Sequence, residues 1–299
     1  MKIKYLLLVF PIFLCINVYP QQIQKRRLLQ GIPLPENVKI IKDIEYASVG
    51  DTPLLMDMYI PDSKERLPLV VWIHGGGWRG GSKENCQPAL FLLQYGYAVA
   101  SINYRLTGLM EFPAEIEDCK SAIRFIRAKA EKYNIDPERI GVWGSSAGGH
   151  LAALLGTTGN IKEFDKGEYL EFSSNVKAVC DYYGPSSIRD MSSKVSLDVE
   201  NAPEELLAGR IPRNVRKARE ASPVNYVSKD TCPFFIVHGD RDNVVPLSQS
   251  EMLYNALLKA GVPVELEIIK GAGHGGPEFI SQDIIKKVVA FFDRYLKNK

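Results

Sequence analysis

The sequence predicts a protein of the α/β class, built on a doubly wound and mostly parallel sheet. Strand-like and helix-like segments alternate from residue 36 onward, with short links between them. Continuous apolar runs such as PLVVWIHG and PFFIVHGD are typical of parallel strands that helices cover on both faces. The chain is 45% hydrophobic and 24% charged, which excludes a disordered or fibrous protein.

Eight segments have the composition of strands. The first two alternate apolar and polar residues more strictly than the others, so we expect the sheet to begin with an antiparallel part. The predicted strands are Val38–Val49, Leu54–Ile60, Leu69–Ile73, Ala98–Ile102, Ile140–Trp143, Val176–Cys180, Phe234–Val237 and Val264–Ile269.

Helical periodicity falls between these strands. In the second helix, apolar residues recur from Ile116 to Ile126 at the spacing of one buried helix face. The predicted helices are Pro88–Tyr95, Ala114–Tyr133, Ser146–Leu155, Leu247–Ala260 and Pro277–Leu296.

The segment Ser186–Ala221 interrupts this alternation. It lacks a strand and is polar and basic, and its main apolar residues, Leu206, Leu207 and Ile211, predict a short helix that packs inward. We interpret it as a small cap over the carboxyl edge of the sheet, where such sheets bind ligands. One catalytic domain, residues 21–299, therefore carries this cap at about residues 186–221. The basic residues of the segment are Arg189, Lys194, Arg210, Arg213, Arg216, Lys217 and Arg219.

The N-terminus predicts export. Lys2 and Lys4 are followed by an uncharged apolar run, Tyr5–Pro20, of 16 residues. This run is shorter than the roughly 20 residues that a membrane helix needs, and residues 1–20 are typical of a secretory signal peptide. We expect a periplasmic or extracellular protein without stable membrane insertion. A retained anchor, or a lipoprotein attached at Cys15, remains the alternative.

Charge and cysteine spacing exclude several classes of site. The chain has 37 Lys and Arg against 35 Asp and Glu, so no basic excess indicates a nucleic-acid partner. Beyond the N-terminal segment, the cysteines Cys86, Cys119, Cys180 and Cys232 are widely spaced and form no C-x-x-C pair, which argues against a metal site. We expect Cys180 and Cys232 to be buried free thiols, although an exported protein could oxidise some of the four.

The motif Gly144-Ser145-Ser146-Ala147-Gly148 lies where the strand RIGVW gives way to a predicted helix. A G-x-S-x-G sequence at a sharp strand-to-helix turn exposes its central serine as a nucleophile. Ser146 has glycine two positions away on both sides, whereas Ser145 does not. The motif therefore identifies Ser146 as the candidate nucleophile, against the alternative of an ordinary glycine-rich turn.

The motif HGGGW, His74–Trp78, directly follows the strand PLVVWI. Acyl transfer needs backbone donors at the oxyanion of the tetrahedral intermediate, and glycines let a backbone approach the substrate closely. We expect the N–H groups of Gly76, Gly77 and Ala147 to form an oxyanion hole, and we assign Trp78 to substrate binding.

Two nucleotide-binding patterns overlap this loop. Gly75–Gly80 fits G-x-G-x-x-G, but the region VASINYR farther along has no acidic residue for a ribose hydroxyl. Gly76–Lys83 resembles a P-loop, but its Ser82 and Lys83 stand in reversed order. We therefore expect no nucleotide and no other cofactor.

A serine nucleophile needs a base, and the chain has four histidines. His74 belongs to the glycine loop, His150 lies one helical turn beyond Ser146, and His238 ends a strand. His274 instead lies in KGAGHGGPE, a loop between the last strand and the last helix, from which it can reach the serine. We predict His274 as the base.

The acid that orients this histidine is expected after a late strand. The segment FFIVHGDRDNVVP offers Asp240 and Asp242, and the later position lets the carboxylate extend past the strand end. We predict Asp242 as the acid and a local hydrogen bond for Asp240. The chain order Ser146, Asp242, His274 is that of the α/β-hydrolase triad.

The motifs HGGGW, NYRL, FPAEIEDCKSAIRFIRAKAEKYNIDPERIGVWGSSAGGHLAALLG and HGDRDNVVP together resemble the bacterial acetylesterase and feruloyl-esterase branch of the α/β hydrolases. This branch is related to the hormone-sensitive-lipase-like esterases, and the resemblance covers about residues 40–297. It implies an α/β-hydrolase fold with an eight-stranded sheet, a serine esterase mechanism and no cofactor.

The expected function is hydrolysis of short-chain or aromatic acyl esters, such as acetyl or feruloyl groups on plant polysaccharides. The substrate would be a small ester or an acylated carbohydrate; the oligomeric state stays open. A serine peptidase similar to prolyl oligopeptidase is one alternative, although the chain has no room for the β-propeller of those enzymes. A non-catalytic hydrolase fold used for binding is the other, although all three triad residues are present.

Overall fold

A computed structural model describes residues 28–29, 32–191 and 202–297. The predicted signal peptide, residues 1–20, lies outside these ranges, as do residues 192–201 of the predicted cap. Every residue that the sequence assigns to the active site lies within them.

The described residues form two sheets. A short antiparallel pair near the N-terminus consists of β1 (Leu28–Leu29) and β2 (Ile32–Pro33). The strands of the main sheet are β3 (Val38–Val49), β4 (Thr52–Pro61), β5 (Leu67–Ile73), β6 (Ala98–Ile102), β7 (Ile135–Ser145), β8 (Val179–Tyr182), β9 (Phe234–Gly239) and β10 (Val264–Ile269).

The main sheet has eight strands in the order β10-β9-β8-β7-β5-β6-β4-β3. Strand β4 pairs antiparallel with both β3 and β6, and the remaining pairs are parallel. The prediction of a mostly parallel sheet with an antiparallel start is confirmed. Parallel pairing brings the carboxyl ends of β5, β7, β8, β9 and β10 to one edge of the sheet.

Helices flank the sheet. The α-helices are α1 (Gln87–Leu90), α2 (Ala114–Ala128), α3 (Ala147–Thr157), α4 (Ile188–Met191), α5 (Ala202–Leu206), α6 (Val215–Glu220), α7 (Ser248–Lys259) and α8 (Gln282–Phe292). Short 3₁₀ segments are Phe91–Tyr95, Lys162–Phe164, Ile211–Arg213, Pro223–Tyr226 and Pro277–Ile280, and a π-helical turn covers Asp293–Lys297.

Strand β5 shows how the core is divided. Its successive side chains point to opposite faces of the sheet, as the strand period of two requires. Leu69, Val71 and Ile73 join the apolar cluster under α2, α3 and α7. Val70 and Trp72 join the cluster under α1 and α8. Because both faces are covered, all seven residues of the strand are buried, which explains its continuous apolar sequence.

Several predicted boundaries differ from the observed ones, and three of the differences are the following. Helix α2 ends at Ala128 rather than Tyr133, because the chain turns there and reaches a left-handed residue, Asn134, with φ of +56°. Strand β7 then starts at Ile135, and an irregular register against β5 accommodates Pro137. The predicted last helix, Pro277–Leu296, is divided into a 3₁₀ turn, α8 and a π-helical turn.

The described part of the predicted cap, residues 186–191 and 202–221, contains α4, α5, α6 and one 3₁₀ turn. Leu206, Leu207 and Ile211 are at most 4% exposed and belong to the main core, so these residues pack inward as expected. The cap is therefore anchored by its apolar residues and presents polar ones outward.

The four cysteines that the structure describes are free thiols. Cys86, Cys119 and Cys180 are buried, while Cys232 is partly buried. Burial raises the pKa of the Cys232 thiol to about 12, which disfavours the reactive thiolate.

Candidate active site

Ser146 stands alone between the end of β7 and the start of α3. Its backbone has φ of +55° and ψ of −123°, in the left-handed half of conformational space that a residue with a side chain rarely adopts. The Ser146 N–H donates to the carbonyl of Tyr182 at 2.8 Å, which ties the turn to β8. The strained turn projects the serine hydroxyl beyond the edge of the sheet.

The two glycines of the motif make this turn possible. A Cβ atom on Gly144 would lie 2.1 Å from the carbonyl oxygen of Gly148. A Cβ atom on Gly148 would lie 2.1 Å from the carbonyl oxygen of Ile73, on β5. Any larger residue would displace helix α3 from the strands, so the glycines act through close packing.

His274 links the serine to the acid. Its Nε2 lies 2.8 Å from Oγ of Ser146, and its Nδ1 lies 2.7 Å from Oδ2 of Asp242. Because an ionised carboxylate only accepts, Nδ1 carries the proton and Nε2 is free to accept from the serine hydroxyl. The structure thus brings together all three residues that the sequence predicts as a triad.

The surroundings of Asp242 keep its carboxylate ionised and fixed. Its side chain is fully buried, and Oδ1 accepts from the backbone N–H groups of Val244 and Val245 at 2.8 and 2.9 Å. Burial alone would raise the pKa of Asp242, but hydrogen bonds from His238 and His274 outweigh it and hold the pKa well below its usual range. By contrast, Asp240 accepts from the N–H of Gly271 at 2.6 Å, as expected for a local role.

His238 is a partner of the acid that the sequence did not predict. Its Nε2 lies 2.9 Å from the carbonyl oxygen of Val245 and 3.2 Å from Oδ2 of Asp242, so this nitrogen must carry the proton. Its Nδ1 then accepts from the hydroxyl of Ser250 at 2.6 Å. The four-residue spacing of histidine and aspartate in HGDRD is the signal that could have indicated this contact.

Tyr183 is a second residue that sequence reasoning missed. It follows β8, and its ring lies edge-on to the ring of His274, with centroids 4.7 Å apart. Its hydroxyl forms a hydrogen bond with Ser145, and burial raises its pKa to about 12. Tyr183 therefore connects the serine turn to the histidine loop. The predicted strand ended at Cys180, which hid the position of this residue at the sheet edge.

The glycine loop faces the serine across a cleft of about 360 Å³. Gly76 and Gly77 have φ of +116° and +60° and lie in the cleft wall. Ala147 is the first residue of α3, where backbone N–H groups lack helical partners. The residues that line the cleft are Gly75, Gly76, Gly77, Arg79, Ser145, Ser146, Tyr183, Val244 and His274.

The structure contradicts the prediction that Trp78 binds substrate. Its side chain is 2% exposed and lies in the core instead of the cleft, because its left-handed backbone (φ of +61°) turns the side chain inward. The indole Nε1 donates to Nδ1 of His150 at 3.1 Å, and Nε2 of His150 donates to the carbonyl of Ala221 at 2.6 Å. Trp78 thus ties the glycine loop to α3 and to the end of the cap.

The remaining histidines have structural contacts. His74 is buried, donates from Nδ1 to the carbonyl of Gly75 at 2.7 Å, and stacks on Tyr104. Burial lowers the pKa of His74, and it lowers the pKa of His150 to about 4. Both rings are therefore neutral at physiological pH, as their hydrogen bonds require.

Residues 28–29, 32–191 and 202–297 contain neither a candidate metal site nor a candidate membrane-spanning helix. No group of three or more His, Cys, Asp and Glu side chains there is arranged to hold a metal ion. Among the helices of the same ranges, none combines the length and the apolar character needed to cross a bilayer.

The known proteins to which this chain is similar include esterases. The family model BD-FAE matches residues 56–257. Esterase LipQ of Mycobacterium tuberculosis is 31% identical over 73% of this chain and 53% of its own length. The chain spans about half the length of the curated relatives it matches.

Solved structures of similar proteins extend the comparison. A truncated carbohydrate esterase from gut microbiota is 34% identical, with a TM-score of 0.78, and the match covers 87% of this chain and 97% of that one. An acetyl ester-xyloside bifunctional hydrolase from Caldicellulosiruptor lactoaceticus is 32% identical, with a TM-score of 0.71, over 82% of this chain and 89% of that one.

Proposed function

Since the chain belongs to the BD-FAE family and has the α/β-hydrolase fold, we propose that it is a carboxylic ester hydrolase with Ser146 as nucleophile. The observation that carries the proposal is the chain of two short hydrogen bonds, 2.8 Å from Ser146 to His274 and 2.7 Å from His274 to Asp242. Nucleophile, base and orienting acid in hydrogen-bond contact are what nucleophilic catalysis by serine requires.

In the proposed mechanism, Oγ of Ser146 attacks the ester carbonyl carbon while Nε2 of His274 takes the hydroxyl proton. Asp242 holds the imidazole and stabilises the imidazolium that forms. The N–H groups of Gly76, Gly77 and Ala147 stabilise the oxyanion. The C–O bond of the ester then breaks, and the leaving alcohol takes the proton from the imidazolium.

Water completes the reaction on the acyl-enzyme. His274, neutral again, takes a proton from the water as its oxygen attacks the acyl carbon. The second tetrahedral intermediate collapses, the bond to Oγ breaks, and Ser146 recovers its proton from the imidazolium. The products are the free acid and the alcohol, and the protein returns to its initial state.

We propose short-chain or aromatic acyl esters, such as acetyl or feruloyl groups on plant polysaccharides, as the substrate class. The small cleft and the polar surface of the described cap support this proposal, because a long aliphatic chain needs a continuous apolar channel. The carbohydrate esterase and the acetyl ester-xyloside bifunctional hydrolase among the structural relatives support a carbohydrate as the alcohol. We also propose export to the periplasm or outside the cell, on the strength of the N-terminal sequence.

The test is hydrolysis of p-nitrophenyl acetate, together with labelling by a fluorescent phosphonate that reacts with activated serines. We expect the full chain to hydrolyse the ester and bind one probe, and Ser146→Ala to lose both, with a rate loss on the order of 10⁴-fold or more. Ser248→Ala, at an exposed serine outside the cleft, is the matched control. Retained activity in folded Ser146→Ala, or cleavage of peptide anilides instead of esters, would contradict the proposal.

A further inference from the structure

A charged pair connects the glycine loop to the cap at the cleft. Nη1 of Arg79 lies 3.3 Å from Oε1 of Glu205, which belongs to α5. The two side chains are 41% and 42% exposed, so the pair faces solvent. In the part of the chain that the structure describes, Arg79 brings the only permanent charge to the cleft wall.

The guanidinium lies close to the glycine loop. Nε of Arg79 is 3.8 Å from the position that a Cβ on Gly77 would take, and Cβ of Ala202 is 3.6 Å from the same point. Arg79 and the first residue of α5 therefore flank Gly77, a predicted oxyanion donor. A substrate whose carbonyl oxygen reaches Gly77 brings its neighbouring atoms close to Arg79, and Glu205 lies 3.3 Å from the Arg79 guanidinium.

The chemistry of the pair selects its ligand. An exposed ion pair contributes little to the free energy of unfolding, so stability does not explain this one. Guanidinium groups only donate hydrogen bonds and carboxylates only accept them. Hydroxyl groups do both and fit the pair, whereas an anionic ligand attracted by Arg79 would be repelled by Glu205.

The solvent exposure of Arg79 and Glu205 indicates which half of the ester this pair binds. Arg79 lines the cleft and both side chains of the pair are open to solvent, and the alcohol half of a large water-soluble ester must also extend toward solvent. We infer that Arg79 and Glu205 form a polar subsite for vicinal hydroxyl groups of the alcohol half, so that the protein prefers esters of carbohydrates over esters of simple alcohols. This inference rests on the proposed function.

The experiment compares two acetate esters, a monoacetylated methyl xyloside and p-nitrophenyl acetate. The measured quantity is the ratio of their kcat/KM values. We expect Arg79→Gln and Glu205→Gln each to lower this ratio about 10-fold, mainly by raising KM for the xyloside, since each removes charge-assisted hydrogen bonds to the sugar. Arg216→Gln, which breaks the exposed pair between Arg216 and Glu220 on α6, is the matched control and should leave the ratio unchanged.

The outcomes separate the two proposals. An unchanged ratio in both variants, including an equal loss on both esters, would overturn the subsite. An equal fall of the ratio in all three variants, Arg216→Gln included, would also overturn the subsite, because the loss of any exposed charge would then have the same effect. If the unmodified protein hydrolysed neither ester, the proposed function itself would fail, and the subsite with it.

Discussion

The buried side chains of His238 and Asp242 lie side by side, with Nε2 of the histidine 3.2 Å from Oδ2 of the acid. The same Oδ2 accepts from His274 at 2.7 Å, while Oδ1 accepts two backbone N–H groups. Four donors thus determine the orientation of one carboxylate. His238 is a positioning residue, because it acts on the reaction only through Asp242.

Removal of the His238 donor should weaken catalysis without weakening substrate binding. We expect His238→Leu to lower kcat for p-nitrophenyl acetate about 10-fold or more with little change in KM, because a hydrogen bond to a charged group contributes about 1.5–3 kcal/mol. His238→Gln, whose amide can donate near the position of Nε2, should recover part of the loss. A change in KM alone, or no rescue by glutamine, would indicate a purely structural role.

The two aspartates after β9, Asp240 and Asp242, should differ sharply in how much activity is lost when each is substituted. Asp242→Asn should fold and yet lose activity on the order of 10⁴-fold, because the amide favours the wrong histidine tautomer and leaves the imidazolium unstabilised. Asp240→Asn should retain most of the activity, since the Asp240 carboxylate accepts from the N–H of Gly271, whereas Asp242 accepts from His274. Rates of ester hydrolysis and circular dichroism of both variants check this. The reverse result would assign the catalytic role to Asp240.

Ester hydrolysis should become less efficient as the acyl chain of the substrate becomes longer. We expect kcat/KM across p-nitrophenyl esters to be highest for chains of two to four carbons and to fall toward palmitate, because the cleft measures only about 360 Å³ and the described part of the cap presents polar residues outward. Methyl ferulate in the same series tests the aromatic acyl group. A maximum at twelve carbons or more would show that the protein binds long chains in an apolar channel.

The free energy of unfolding should fall as the pH rises, because the buried carboxyl group of Glu115 then loses its proton. Both of its carboxylate oxygens are buried without a hydrogen-bond partner among the described residues. Burial raises its pKa from 4.5 to about 8, with a smaller opposing effect from Arg105. The folded state therefore holds this proton more tightly than the unfolded state. The stabilisation that comes from this tighter proton binding is fully present below pH 4.5, and it is lost as the pH rises to about 8.

Glu115→Gln should remove this dependence. Between pH 4.5 and 7, the raised pKa of Glu115 lowers the free energy of unfolding by at most on the order of 3 kcal/mol. We expect the variant to resemble the unmodified protein at pH 4.5 and to be more stable at pH 8, as measured by urea unfolding. Parallel stability curves for the two proteins would show that Glu115 does not titrate between these values.

Features set by local sequence were predictable. Strands Ala98–Ile102 and Val264–Ile269 have the expected bounds, the first as a buried run and the second as an edge strand in which apolar and acidic residues alternate at its start. The fold class and the family resemblance are confirmed. The three residues of the triad follow from chain order and strand ends, and the structure brings them within hydrogen-bond distance.

Features set by packing between distant segments were not predictable. The glycine motif indicated the loop, but the inward turn of Trp78 depends on its contact with His150, 72 residues away. The contact of Tyr183 with His274 likewise depends on how two loops meet above the sheet. A single sequence records which residues follow each strand, but not which side chains touch across the sheet edge.

Ser146 and His274 are far apart in the sequence, and this distance along the chain affects how the active protein folds. The two residues are 128 positions apart, and β8 and β9 lie between their strands in the sheet. Contacts between distant parts of a chain form slowly because loop closure costs entropy. The Ser146–His274 contact therefore requires that four adjacent strands, β7 to β10, have assembled in order. Recovery of ester hydrolysis after dilution from denaturant would then report completion of the sheet, later than any signal from secondary structure.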